Sequence, residues 1–474
     1  MEISARQHGL HSLASVLPRP GMLVADQDII AAACQDYRGW YRGKALAVAR
    51  PRTVAEIQEL VRAAGNLKYA IVPQGGNTSM CGAAVPLDCD APSIVLSTAA
   101  LNQIRSTNAG SWSIVAEAGC TLAQVQDAAR SANRHFGLDL GARGSATIGG
   151  AIATNAGGVG VVRYGNCRDL VLGLEVVLPD GQLWSGLRTL RKDNSGFDLK
   201  HLFIGSEGTL GIITAASLKL HPAETTSGSA LICTGSLEAA TQFADLALEM
   251  AAGELSAIEL MPVMGIRRSC EELLRCRPPL ELSSEWFVLC RLASQQPVQE
   301  KLENIVARAL EAGLCADAVL SHSVAQETQL WAIRDSFSEL HKFLGASIRF
   351  DYCVPLGKIP ELYHRLCAAI DKVAPGFVPF GFGHLGDGNL HFSACQPERT
   401  ETNEFVGNRQ EIETVANAIV WELGGTVSAE HGIGQLHLHE VSQQKSSTEL
   451  TMMQCVKRSF DAFELMNPGK LLPT

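Results

Sequence analysis

Apolar side chains recur at helical spacing across residues 51–66 (PRTVAEIQELVRAAGN), with Pro51 and Thr53 at the start and Gly65 near the end, which predicts a helix. Short apolar runs follow. Residues 69–73 (YAIVP), Ser93–Ser97 (SIVLS) and Ser113–Glu117 (SIVAE) read as strands, and CTLAQVQDAARSAN as a second helix. Residues 174–179 (LEVVLP), then Asp180-Gly181, then QLWSG predict a β-hairpin with a type I′ turn, and LGIITAASLKL (210–220) another strand. Beyond Pro222 the texture changes. Helical patterns (LEAATQFADLALEMAA, VQEKLENIVARALEAG) alternate with strand patterns (LSAIELM, WFVLCRL), as in a β–α–β–β–α–β unit. SFDAFELMNPGKLLP closes the chain as a helix with a Pro/Gly stop. The natural boundary falls at residues 222–230 (PAETTSGSA).

At 474 residues the chain exceeds one ordinary core and implies two to three domains; 46% hydrophobic and 19% charged residues make it globular. The net charge of −10 argues against nucleic acid or an anionic membrane surface as partner, and draws attention to any arginine near a candidate site. Fourteen cysteines without a CxxC pair read as reduced thiols, with no grouping for an iron–sulfur cluster. The opening MEISARQHGLHSLASVLPRPG has no apolar run of a secretory signal, and Glu2 weakens a mitochondrial one. No stretch is long and apolar enough for a membrane span.

Backbone amides cradle a pyrophosphate only where side chains are small. Three glycine-rich segments offer this: 73–78 (PQGGNT), 144–150 (GSATIGG) and 205–211 (GSEGTLG). Each alone reads more readily as a turn, and a Rossmann GxGxxG after the first strand is absent. A second constellation lies downstream. In FGHLGDGNLHF, Asp387-Gly388-Asn389 signals a tight turn from whose arms His384 and His391 can converge, and SAEHGIG carries Glu430-His431. A lone histidine is usually a hydrogen-bonded core residue. Two around a turn plus a carboxylate form the ligand set of a catalytic metal.

Taken in order, PQGGNTSMCGAAVP, EAGCTLAQVQDAA, GSATIGGAIATNAGG, RYGNCRDLVLGLEVVLPDG and FIGSEGTLGIIT resemble the FAD-binding domain of the vanillyl-alcohol oxidase/p-cresol methylhydroxylase superfamily. HLGDGNLH, SAEHGIG and NPGKLLP resemble its D-2-hydroxy-acid branch, which includes D-2-hydroxyglutarate and D-lactate dehydrogenases and the glycolate oxidase catalytic subunit. The resemblance implies an α+β chain in three parts. Residues 1–222 would form the FAD domain, two α+β subdomains with the flavin between them. Residues 223–430 would form a ferredoxin-like antiparallel-sheet cap domain with the metal site, and 431–474 a helical segment packing back on the FAD domain. It assigns Pro73, Gly75, Gly76, Asn77, Thr78, Gly144, Thr147, Gly149, Gly150, Glu207, Gly208, Ile212 and Asn467 to FAD. Some members bond a flavin to a histidine just after the GG pair; here that residue is Asn77, which implies non-covalent FAD.

It further assigns His384, His391 and Glu430 to Zn²⁺ or a similar ion, His431 to removing the substrate hydroxyl proton, and Asn389 to substrate. In the D-2-hydroxyglutarate branch a WxxR arginine, a hydroxyl residue four later and a strand lysine hold the distal carboxylate. Arg334, Ser338 and Arg349 match, with arginine in the last place, and a helix would put Arg334 and Ser338 on one side. Each arginine taken alone reads as a surface charge. D-2-hydroxyglutarate or D-malate is therefore the expected substrate, while Tyr352-Cys353-Val354-Pro355 also looks like the D-lactate branch. The segment after HGIG, GQLHLHE, departs from the basic residue common in relatives. Two further readings stand beside this one: a non-redox transferase of the alkylglycerone-phosphate synthase type on the same fold, and a non-catalytic FAD subunit. The acceptor would be an electron-transfer flavoprotein, a quinone or a cytochrome. The compartment would be the bacterial cytoplasm or the mitochondrial matrix, and a homodimer stays open.

Overall fold

Thr53 stands in extended conformation and its hydroxyl accepts the Glu56 amide, so the first long helix runs Val54–Asn66, as its spacing predicts. Ile57, Leu60, Val61 and Ala64 form its buried stripe and pack with Ile71, Ile94 and Leu96 of the neighbouring sheet. The computed structural model describes residues 10–89, 92–398 and 400–473. Residues 1–9, on which much of the targeting reading rests, lie outside these.

The chain divides into two compact units. The first takes the described residues of Met1–Gly157, Gly165–Pro222 and Glu430–Thr474. It holds a four-stranded sheet ordered Leu23–Val24, Ala47–Ala49, Ser93–Ser97, Ala70–Gln74, whose last three strands run parallel. A five-stranded antiparallel sheet is ordered Ile104–Asn108, Ser113–Glu117, Ile212–Lys219, Val171–Val177, Leu183–Gly186. The C-terminal segment is tied to the first of these sheets, with the Ile71 amide donating to Leu465 and the Asn467 amide to Ile71.

The hairpin at 171–186 forms, but not through a type I′ turn. The Gly181 amide donates to Leu178, and only Gly181 in the loop is left-handed, at φ +80°. Pro179 occupies the first corner and its ring fixes a negative φ there, which a type I′ turn cannot use. Gly181 then ends the turn, its carbonyl held by Gln58 and Arg62 of the long helix.

The second unit comprises Gly158–Tyr164 and Ala223–Ala429. Its strands form one seven-stranded sheet in the order Asp317–Leu320, Thr226–Thr234, Trp286–Ser294, Leu255–Pro262, Val378–His384, Asn389–Cys395, Ser347–Cys353. Every neighbouring pair is antiparallel. The first four strands, with helices Leu237–Ala251 and Gln299–Glu311 as crossovers, reproduce the β–α–β–β–α–β order of a ferredoxin-like sheet. One sheet face is apolar: Leu260, Val288, Ile348, Tyr352, Leu390 and Phe392 pack there with those helices and with Ile359–Val373. The short helix Val161–Tyr164 joins this unit, where Arg163 and Tyr164 both bond Glu224.

Candidate active site

In the first unit the glycine segments 73–78 and 144–150 lie against each other at backbone distance. A Cβ at Gly76 would stand 1.9 Å from the Ser145 carbonyl oxygen, and one at Gly75 would stand 2.2 Å from the Thr147 hydroxyl. Gly149 is pressed on Ala118 in the same way. Thr147 caps the helix Ile148–Ala153 by accepting the Gly150 amide. Pro73, the penultimate residue of the strand Ala70–Gln74, faces Gly208, left-handed at φ +73°. Gly144 has open space around its Cα, and Thr78 is half-buried. Ile212 is buried in the apolar core at the start of its strand, which leaves its backbone to serve any ligand.

Two asparagines supply the strongest sign that this unit is built around a bound group. Asn77 is left-handed, and its amide nitrogen donates to the Gln35 carbonyl. The Asn467 amide nitrogen donates to the carbonyls of Ala83 and Glu207. Those bonds fix which way each amide points, and both remaining oxygens are buried with no hydrogen-bond partner among the described residues. Such acceptors, beside a glycine cradle, fit the donor-bearing parts of a flavin dinucleotide.

Glu207 has a second use. Its buried carboxylate accepts the amides of Ile433 (2.7 Å) and Gly434 (2.8 Å), the two residues that follow His431-Gly432. Burial is the largest influence on this group and raises its pKa, against the pull of those amides. Gly432 and Gly434 are both left-handed, and a Cβ on Gly434 would meet the Cys81 carbonyl at 2.1 Å. The HGIG segment is therefore held on the first unit by backbone contacts only glycine allows.

The second unit carries the histidines. Val378–His384 leads through a single 3₁₀ turn and left-handed Gly388 into Asn389–Cys395, so His384 and His391 converge as expected, with ring centroids 5.2 Å apart. Strand register puts their neighbours on the same sheet face: Glu259 opposite His384, and Asp351 opposite His391, which is itself opposite Phe382. Glu259 Oε1 lies 2.6 Å from His384 Nδ1, and Asp351 Oδ1 lies 3.4 Å from His391 Nδ1. With Nδ1 of each ring turned to a carboxylate, Nε2 is the nitrogen suited to bind a metal, which is the usual arrangement for ligating histidines. This donor set fits Zn²⁺ or a similar ion. Asn389, buried beside them, donates to Asp351 and to the Tyr352 carbonyl, while its own oxygen has no partner among the described residues.

Arg334 reaches the same face from the end of helix Val324–Asp335. Its Nε donates to Glu259 Oε2 at 2.6 Å, and the guanidinium lies over the Phe382 ring. Ser338 does not share its side. The helix ends at Asp335, Ser338 falls in the next short helix, and it is exposed while Arg334 is buried. Arg349 lies on the edge strand Ser347–Cys353, exposed, with its Nε on Ser347.

No motif marks Glu259: LSAIELM reads from its sequence as a strand alone. Yet all eight residues of Leu255–Pro262 are buried, and one acid in such a strand has to be paired. That lone carboxylate was the available signal. Burial is the largest influence on Glu259 and opposes its charge, but Arg334 and His384 outweigh it and hold its pKa down to about 2.

A glycine cradle with buried acceptors, and a histidine pair next to a carboxylate-held arginine, define an FAD-linked oxidoreductase. The sequence matches the family described as "FAD binding domain" over residues 45–186 and "FAD linked oxidases, C-terminal domain" over residues 225–471. A D-2-hydroxyglutarate dehydrogenase, mitochondrial, from Bos taurus is 36% identical, aligned over 96% of this chain and 82% of its own length. One from Stutzerimonas stutzeri is 31% identical over 96% and 97%. The chain belongs to this family of D-2-hydroxyglutarate dehydrogenases. The fold resembles p-cresol methylhydroxylase with substrate bound, at TM-score 0.77 and 14% identity over 98% of this chain and 96% of that one. Among the described residues no helix is long and apolar enough to cross a membrane.

Proposed function

We propose that the protein oxidises a D-2-hydroxy dicarboxylate, D-2-hydroxyglutarate before D-malate, to the 2-oxo acid. The observation that carries this reading is Arg334, buried and oriented by Glu259 on the sheet face that holds the histidine pair. Among the described residues Glu259 is the only hydrogen-bond partner of Arg334, so its terminal nitrogens remain to grip a substrate carboxylate as a two-pronged fork. Arg349, on the edge strand, supplies the cation for the second carboxylate. Asn389 offers a buried acceptor on the same face. The relatives' names point to the same substrate.

His384 and His391 would hold a divalent metal, with Glu430 as the third ligand. Glu430 follows Ala429, whose amide donates to the Asp351 carbonyl, so the chain enters Glu430 from beside the strand that carries Asp351. A metal held there would supply Lewis acidity toward the substrate hydroxyl. FAD would be held without a covalent bond, since Asn77 takes the histidine position, and would supply the hydride-accepting chemistry. His431 takes the hydroxyl proton, and the glycines around it let the backbone pass close to Glu207 and Cys81. The electron acceptor would be an electron-transfer flavoprotein, a quinone or a cytochrome.

Exhaustive chelation should abolish turnover while FAD stays bound, and added Zn²⁺ or Mn²⁺ should restore it. Activity indifferent to chelation would remove the metal from this account.

A further inference from the structure

We propose that Glu259 is a shared positioning residue: its single carboxylate orients both the metal-binding histidine His384 and the substrate arginine Arg334, so the two subsites are built as one. This rests on the reading of His384 as a metal ligand and Arg334 as a carboxylate clamp. Glu259 is fully buried on a central strand, directly opposite His384 in register. Its two oxygens are divided, Oε1 to His384 Nδ1 and Oε2 to Arg334 Nε, each at 2.6 Å.

An ionised carboxylate only accepts, so Nδ1 must carry the proton of the His384 ring and Nε2 must be the ligating nitrogen. On the other side, taking Nε of Arg334 fixes the plane of the guanidinium, whose terminal nitrogens make no hydrogen bond to Glu259. Phe382 flanks this arginine and also packs on His391, which places both constraints within one patch of the sheet. A rotation of the Glu259 side chain would disturb both groups together, whereas loss of a surface charge would disturb neither.

Glu259→Gln tests this, because the amide is isosteric but has one acceptor and one donor. It cannot accept from both partners. Facing His384 with its NH₂, it would favour the proton on Nε2 and block ligation; facing Arg334, it would oppose two donors. In ¹⁵N spectra of the histidine-labelled, metal-free, FAD-loaded protein, His384 should show the Nδ1–H tautomer in wild type and lose it in E259Q. Zn²⁺ affinity should fall roughly 10- to 100-fold, the usual cost of removing a partner of a ligating histidine. KM for D-2-hydroxyglutarate should rise in the same variant. Glu259→Asp, which keeps both acceptors on a shorter arm, should retain the tautomer with an intermediate Zn²⁺ affinity, and serves if E259Q does not fold. An Nε2–H His384 in wild type, or E259Q with unchanged Zn²⁺ affinity, would overturn the proposal. Wild type with the Nδ1–H tautomer but no Zn²⁺ uptake would instead strike the metal reading and leave the tautomer control by Glu259 standing.

Discussion

At the scale of single residues, the account depends on where charge is buried. Arg349 is exposed on the edge strand, so its removal should leave the fold intact. Arg349→Ala should raise KM for D-2-hydroxyglutarate roughly 10- to 100-fold, the range for a lost charged hydrogen bond, and change KM for D-lactate little. Equal effects on both substrates would deny it a role in reading the distal carboxylate. Lys470, in the NPGK segment, tests the electrostatics of the first unit. Its ammonium is buried and donates to the Pro468 carbonyl. Burial is the main cause that lowers its pKa from an ordinary 10.5 to about 8, against the pull of Glu207. A depressed folded-state pKa means that the stability linked to this group is full above about pH 10.5 and lost as pH falls through about 8. Lys470→Met should therefore be more stable than wild type at pH 7, by on the order of 3 kcal/mol at most. That advantage should shrink between pH 8 and pH 10.5, which denaturation across pH would show.

At the scale of elements, periodicity and end signals recover most of the local structure, though not the helix expected in SFDAFELM: the last helix runs Ser447–Phe460 and the chain turns from Asp461 onward. Thr53 caps its helix, SIVLS and SIVAE are strands over the expected residues, and Asp387-Gly388 turns the chain between the two histidines. The turn at 178–181 departs from the type I′ expected of its Asp-Gly pair because Pro179 precedes them, and its fixed φ decides the turn type. Ser338 departs from the expected side for a related reason: helical spacing holds only while the helix continues, and this one stops at Asp335. Of the candidate site, the histidine pair was legible because a tight turn brings it together locally. Glu259 was not, since 125 positions separate it from His384 and only strand pairing unites them. The glycine cradle was visible as composition, but its purpose lies in close approach between two distant loops. Gly76→Ala should show this. A methyl 1.9 Å from the Ser145 oxygen forces the loops apart, so the variant should lose on the order of 1–3 kcal/mol of stability and much of its FAD. Wild-type FAD content and melting temperature would mean that the cradle is not built on that contact.

At the scale of the molecule, one chain combines a unit that carries the glycine cradle with a unit whose antiparallel sheet presents the polar face of histidines, carboxylates and Arg334. The fold alone does not select a chemistry, since the same architecture serves p-cresol methylhydroxylase at 14% identity. In the proposed function that choice falls to the particular residues on that sheet face. Anaerobic mixing of the FAD-loaded protein with D-2-hydroxyglutarate, D-malate, D-lactate and glycolate in turn, followed by the visible flavin band, reads the chemistry without needing to know the electron acceptor. The account predicts rapid bleaching by D-2-hydroxyglutarate, slower bleaching by D-malate, and little by the two monocarboxylates. Preferential bleaching by D-lactate, or none by any of the four, would contradict it.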